Sequence, residues 1–126
     1  MDYILIVEDE SAIRTLLRAN LVARGYNVLE ARSAEQAWLQ ITQDSPQLVL
    51  LDNMLPKMSG IQLMRDLASH PTTMNIPVIF VSAYIAQRSD EIQRDYPQVV
   101  DVINKPFNIN QIITAVRRAL SKPDPQ

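Results

Sequence analysis

The chain has 126 residues, of which 47% are apolar and 21% charged, and its formal net charge is −2. That length suits one compact domain with a sizeable core, and the mildly acidic balance leaves no electrostatic footprint for nucleic acid or an acidic membrane. With no cysteine and a single histidine, disulfides, zinc–thiolate centres, cysteine nucleophiles and His-pair metal sites are excluded.

Tyr3 to Val7 is a short run of β-formers reached without a basic region and a long apolar stretch. No run approaches the length that spans a bilayer, so a cytoplasmic protein with no membrane partner is expected. The acidic triplet Glu8-Asp9-Glu10 follows. Ile13, Leu16, Leu17, Asn20 and Leu21 then fit a helical period, and Gly25 ends that helix where a left-handed residue is wanted. Asn27 to Ala31 is the second strand. Ser33 and Gln36 have capping-box spacing and open a helix with Ala34, Ala37, Trp38 and Ile41 as its apolar stripe, broken by Ser45-Pro46. Leu48 to Leu51 is the third strand, apolar on both faces, and Asp52 ends it. Asn53 to Gly60 is a loop, Ile61 to Ser69 a short helix and His70 to Thr73 a linker. Pro77 to Val81 is the fourth strand, ending at Ser82. Arg88 to Asp95 is a weakly amphipathic helix, and Val99 to Ile103 is the fifth strand, followed at once by Asn104 and Lys105. Asn108 and Gln111, again at capping-box spacing, open a last helix that runs to Leu120. Residues 1–121 form the expected domain, and 122–126, with Pro123 and Pro125, read as a tail or the start of a linker.

Strands that alternate with helices imply an α/β fold with a parallel sheet. The continuously apolar strands agree, because parallel sheets are covered on both faces. Five units are too few for an eightfold barrel, which leaves an open, doubly wound sheet.

The polar residues fall at strand ends. Glu8 and Asp9 follow strand one, Asp52 strand three, Ser82 strand four, and Asn104 and Lys105 strand five. Ligands of open α/β sheets bind at the carboxyl ends of the strands, near the point where strand order reverses. If the order is 2-1-3-4-5, Glu8, Asp9 and Asp52 converge on one crevice flanked by Ser82 and Lys105. Three close carboxylates repel one another and either take up protons or bind a cation. Hard oxygen ligands favour Mg²⁺ or Mn²⁺, and such a site suits phosphoryl transfer. A carboxylate can attack phosphorus to form an acyl phosphate. Lys105 offers a point charge and Ser82 a hydroxyl donor to phosphoryl oxygens.

Four stretches carry a family likeness: Ile4-Leu5-Ile6-Val7-Glu8-Asp9-Glu10, Leu48 through Asp52-Asn53-Met54-Leu55-Pro56 to Gly60, Val81-Ser82-Ala83 and Asn104-Lys105-Pro106-Phe107. Over residues 3–120 the chain resembles the receiver domain of two-component response regulators, including the chemotaxis regulator. The resemblance implies a three-layer, flavodoxin-like, doubly wound sheet of five parallel strands in the order 2-1-3-4-5 with five helices. It implies that Asp52 is the phosphoacceptor, that Asp9 binds Mg²⁺ directly and Glu8 mostly through water, and that the main-chain carbonyl of Met54 completes the protein's share of the shell. Mn²⁺ is a possible substitute. Ser82 would be a switch hydroxyl that moves towards the phosphoryl group, Lys105 would bind that group, and the bond before Pro106 is often cis. The implied partners are a histidine kinase or histidine phosphotransfer protein and an output partner or fused effector domain. The protein would be a monomer or weak dimer that makes no direct nucleic-acid contact through this segment. It would be no enzyme beyond self-catalysed phosphoryl acceptance and slow autodephosphorylation.

The chain departs from the family pattern in places. Val102 replaces the usual aromatic three residues before the lysine, so no ring can swing inward there. Ala115 stands where winged-helix regulators place an arginine for a dimer salt bridge. Gln98-Val99 replaces the usual Gly-Ala before strand five. Met54 and Tyr84, at the positions that tune hydrolysis in the family, are bulky, and slow loss of phosphate is expected. An aspartate-dependent phosphohydrolase is the competing enzyme reading, but it would place an acid at position 54, where this chain has methionine. A non-phosphorylated pseudo-receiver is opposed by the complete acidic set. A nucleotide- or flavin-binding domain is opposed by the presence of only two glycines. Single residues also have plainer readings: His70 as a surface residue, Trp38, Met58 and Met64 as packing.

Overall fold

The structure, a computed structural model, describes residues 2–121. Among these residues the elements are β1 (Ile4–Val7), α1 (Ser11–Val22), β2 (Val28–Ala31), α2 (Ala34–Gln43), β3 (Leu48–Leu51), α3 (Gly60–Ser69), β4 (Val78–Ala83), a short 3-10 helix (Ile85–Arg88), α4 (Ser89–Asp95), β5 (Val99–Lys105) and α5 (Ile109–Leu120). Every strand pair is parallel and the order is β2-β1-β3-β4-β5. The expected architecture and strand order are both present. The residues read as a tail or linker, 122–126, lie outside the described residues.

Period-two alternation along the strands divides the core into two layers. Leu5, Val7, Val49, Leu51, Val78 and Phe80 face one way, onto Ala37 and Ile41 of α2, Leu63, Met64 and Leu67 of α3 and Ile92 of α4. Ile4, Ile6, Leu48, Leu50, Ile79 and Val81 face the other way, onto Leu17 and Leu21 of α1 and Ile112, Ile113 and Val116 of α5. The central strands are buried on both faces, which is why β1 and β3 carry no polar residue at all.

Helix ends follow local chemistry. Gly25 has φ +91° and closes α1 in a Schellman turn, with the Tyr26 N–H donating to the Leu21 carbonyl at 3.2 Å and the Gly25 N–H to the Val22 carbonyl at 3.0 Å. Asn108 and Gln111 cap α5 reciprocally, as do Ser59 and Gln62 at α3. Ser33 accepts from the Gln36 N–H, whereas the Gln36 side chain turns one residue upstream to the Arg32 N–H.

The structure corrects two expectations and adds one element. Leu16 is 45% exposed, and the core-facing side chains of α1 are Leu17, Leu21 and, unexpectedly, Arg14. β4 and β5 continue past their apolar runs, with Ser82 pairing Asn104 and Ala83 pairing Lys105. Ser82, Asn104 and Lys105 therefore project from strands rather than from loops after them. Backbone pairing persists there although side-chain hydrophobicity stops: Ser82 and Lys105 reach Asp52, and Asn104 reaches the Ala86 N–H. Finally, a 3-10 turn anchored by buried Ile85 precedes α4, in a segment with no helical period to betray it. β5 also carries a register shift opposite Val78 and Ile79, which leaves edge residue Val100 45% exposed.

Candidate functional site

β1 and β3 are neighbours with Val7 opposite Leu51, so Glu8 and Asp52 leave the sheet side by side. The backbone fixes both: the Glu8 N–H donates to the Ala31 carbonyl and the Asp52 N–H to the Val7 carbonyl, each at 3.0 Å. α1 departs to one face of the sheet and α3 to the other, and the crevice between them opens at the carboxyl edge. Gly60 makes the β3–α3 loop close tightly. A Cβ there would lie 2.4 Å from the Asp52 carbonyl oxygen and 2.8 Å from Asn53 Cα. Asn53 secures the same turn, its side-chain Oδ1 accepting from the Ile61 N–H at 2.9 Å.

Within the crevice Asp52 is 3% exposed. Its Oδ1 accepts from Ser82 Oγ at 2.6 Å and from the Met54 N–H at 2.9 Å, and its Oδ2 faces Lys105 Nζ at 3.1 Å. Lys105 Nζ also lies 2.5 Å from Glu8 Oε1 and 3.8 Å from Glu10 Oε1. Burial pushes the Glu8 carboxyl up to about 7, reinforced by the Asp52 charge and opposed by Lys105. Burial also acts to lower the Lys105 pKa, but the bond to Glu8 and the Asp52 charge outweigh it and leave that pKa raised. Asp9 is exposed, and one carboxylate oxygen from each of Glu8, Asp9 and Asp52 lies within 4.8 Å of the others. This donor set, all hard oxygen, fits Mg²⁺ or a similar cation and not a thiophilic metal.

The residues singled out in the sequence thus meet: Glu8, Asp9, Asp52, Ser82, Lys105 and the Met54 main chain share one crevice. Ser82 is fully buried and already bonded to Asp52. The Lys105–Pro106 bond is cis. The side chains of Met54 and Tyr84 are 64% and 75% exposed, and Tyr84 has φ +58°. Val102 is half-buried. His70 is exposed, with its ring edge-on to Trp38 at 4.9 Å.

Two contributors were not legible as site residues, and a third, Asn104, was placed at its strand end without a role. Arg14 belongs to no motif in the sequence, yet its side chain is buried, with Nη1 on the Glu8 and Asp9 carbonyls. Gly60 reads as a loop residue, and only its backbone contacts show why a side chain is barred. Asn104 Oδ1 accepts from the Ala86 N–H at 2.7 Å and ties the β4–α4 loop to β5. Neighbours in sequence give no sign of that bond.

Comparison with known proteins bears on this geometry. The family model described as "Response regulator receiver domain" matches residues 4–117. The phosphate regulon transcriptional regulatory protein PhoB of Pseudomonas aeruginosa is 37% identical over 122 residues, covering 97% of this chain and 53% of its own. The KDP operon transcriptional regulatory protein KdpE of Escherichia coli is 37% identical over 131 residues, covering 99% and 56%. The chain therefore spans about half the length of these relatives. Among solved structures, response regulator protein TrrA from Thermotoga maritima, in complex with Mg(2+)-BeF, superposes with a TM-score of 0.82 at 28% identity, covering 95% of this chain and 100% of its own. The receiver domain of NtrX from Brucella abortus gives 0.81 at 30% identity, with 93% and 97% covered. The profile match runs from β1 into α5 and takes in every strand end that lines the crevice, and the chain belongs to the response regulator receiver domain family.

Proposed function

We propose that the chain is a phosphorylation-dependent signalling switch in which Asp52 accepts a phosphoryl group from a histidine kinase or histidine phosphotransfer protein. The observation that carries this reading is the setting of the Asp52 carboxylate. It is almost closed off from bulk water, held on both oxygens, and adjoined by two further acids. An Asp52 oxygen bonds to phosphorus as the phosphorus–nitrogen bond to the donor histidine breaks, and the imidazole leaves with the electron pair. Ser82 and Lys105 already touch Asp52, so the hydroxyl and ammonium can pass to the phosphoryl oxygens. Glu8, Asp9, Asp52 and the Met54 carbonyl would hold Mg²⁺, or Mn²⁺ in its place. A divalent cation bound there neutralises charge on the phosphoryl oxygens.

No acid stands at position 54 to activate water, and the bulky Met54 and Tyr84 follow Asp52 and Ser82 by two residues each, so phosphate is lost slowly and the domain does not turn over. With Val102 in place of an aromatic, the signal leaves through Ser82 and the β4–α4 loop. The output partner is a separate protein or an effector fused to this segment. The protein works in the cytoplasm as a monomer or weak dimer, and this segment does not itself touch nucleic acid. Among the described residues, no helix is long and apolar enough to cross a membrane.

Incubation with acetyl phosphate, with and without Mg²⁺, followed by intact-protein mass tests the reading. One phosphoryl adduct that needs Mg²⁺ and is lost in Asp52→Ala is expected. An adduct retained by Asp52→Ala would refute the assignment of the acceptor.

A further inference from the structure

Arg14 is 7% exposed, and phosphoryl transfer makes no direct use of it. Its Nη1 donates to two main-chain carbonyls, that of Glu8 at 3.0 Å and that of Asp9 at 2.9 Å. Those carbonyls belong to the two consecutive residues whose carboxylates face Asp52. The guanidinium does not take up the carboxylates themselves. Its charge is met instead by Glu30 on β2, whose Oε1 lies 3.5 Å from Arg14 Nε. Glu30 is held in turn by Arg18, at 3.1 Å.

Glu8 is also held by its N–H on the Ala31 carbonyl and by Lys105 on its carboxylate, whereas the Asp9 side chain has no hydrogen-bond partner among the described residues. The Glu10 N–H reaches back to Glu8 Oε2 at 3.2 Å, and the Arg14 N–H closes the first helical bond on the Glu10 carbonyl at 3.0 Å. The orientation of a peptide group sets the direction of the adjacent side chains. Two charge-assisted bonds from one planar fork therefore fix where Glu8 and Asp9 point. We propose that Arg14, steadied by Glu30, is the positioning residue of the divalent-cation site: it clamps the Glu8 and Asp9 carbonyls and so aims their carboxylates at the cation. The inference rests on the reading of this crevice as a cation site. Orienting groups behind metal ligands characteristically act in this way, and their loss weakens metal affinity about ten- to a hundred-fold.

The test is calorimetric titration of Mg²⁺ into the wild-type chain, Arg14→Met, Arg14→Lys, Glu30→Gln and the core control Val116→Ala, with a thermal melt of each. Methionine keeps the apolar stem of Arg14 and removes the fork. Arg14→Met is expected to weaken Mg²⁺ binding about ten-fold or more, and Arg14→Lys to recover part of that loss. Glu30→Gln is expected to weaken binding about three-fold, a smaller loss of the same kind. Val116→Ala lowers the melting temperature with no change in affinity, which separates positioning from general destabilisation.

Equal Mg²⁺ affinity in wild type and Arg14→Met overturns the clamp and leaves the cation site standing. No Mg²⁺ binding by the wild type overturns the cation site and the clamp together. If Arg14→Met does not fold, Glu30→Gln decides, and unchanged affinity there overturns the proposal.

Discussion

Glu8 is 2% exposed and shares its crevice with Asp52, so its proton is linked to stability. Its carboxyl is raised from 4.5 to about 7, by burial first and the Asp52 charge after it. The folded state thus holds this proton more tightly than the unfolded chain does. The associated stabilisation of the metal-free protein is complete below about 4.5 and is lost as pH rises through about 7. Lys105, raised above 10.5, titrates outside that window. Melting of the metal-free wild type against Glu8→Gln checks this: the wild type should lose ground to the variant across the window, and a pH-independent difference would contradict the assignment. Cation binding needs the ionised carboxylate, so the melting gain from Mg²⁺ should grow over the same rise in pH. Ser82→Ala removes a buried hydroxyl that donates to Asp52 Oδ1. About 1–2 kcal/mol of stability should be lost in denaturant melts, since the Met54 N–H and Lys105 still hold Asp52.

Among the elements, the β3–α3 loop and the β4–α4 loop make the sharpest claims. Gly60→Ala would press a methyl group into the backbone of Asp52 and Asn53. A loss of about 3 kcal/mol is expected, together with slowed phosphoryl acceptance, because the atoms that must yield belong to the acceptor residue. Denaturant midpoints and acetyl phosphate labelling of the variant check both parts. Asn104→Ala frees the Ala86 N–H. Its amide should exchange faster with solvent while acceptance at Asp52 continues, and unchanged exchange would show that the tie is idle. These loops also mark what the sequence conceals. Apolar runs disclose strand interiors, so β1 and β3 were legible to within a residue. Ser82 and Lys105 look like the first loop residues, because hydrophobicity ends before backbone pairing does. The helical period counts Leu16 into the apolar stripe of α1 and passes over Arg14, because it counts apolar residues and cannot foresee a buried guanidinium with three oxygen partners.

At the scale of the whole molecule, alternating strands and helices were enough for an open parallel sheet. The order 2-1-3-4-5 was not contained in spacing and came through the family likeness. That order brings Glu8 and Asp9 beside Asp52, and spacing along the chain cannot show it. Burial of β1 and β3 on both faces, with α1 and α5 on one side and α2, α3 and α4 on the other, makes the sheet a rigid mount for a site held on strand ends and short turns. The bulk of Met54 and Tyr84 beside that site predicts a long-lived phosphoprotein. Decay of the labelled protein, followed by mass after removal of donor, should be slower than in a variant carrying Met54→Asn and Tyr84→Ala, and equal decay would show that the two side chains do not screen water. The central claim is that the acyl phosphate forms on Asp52. Borohydride reduces an aspartyl phosphate to homoserine, so reduction of the labelled protein followed by peptide sequencing reads the acceptor directly. Homoserine at position 52, dependent on Mg²⁺, is the predicted result; homoserine at another position, or none in a protein that carries the phosphoryl adduct, would contradict it.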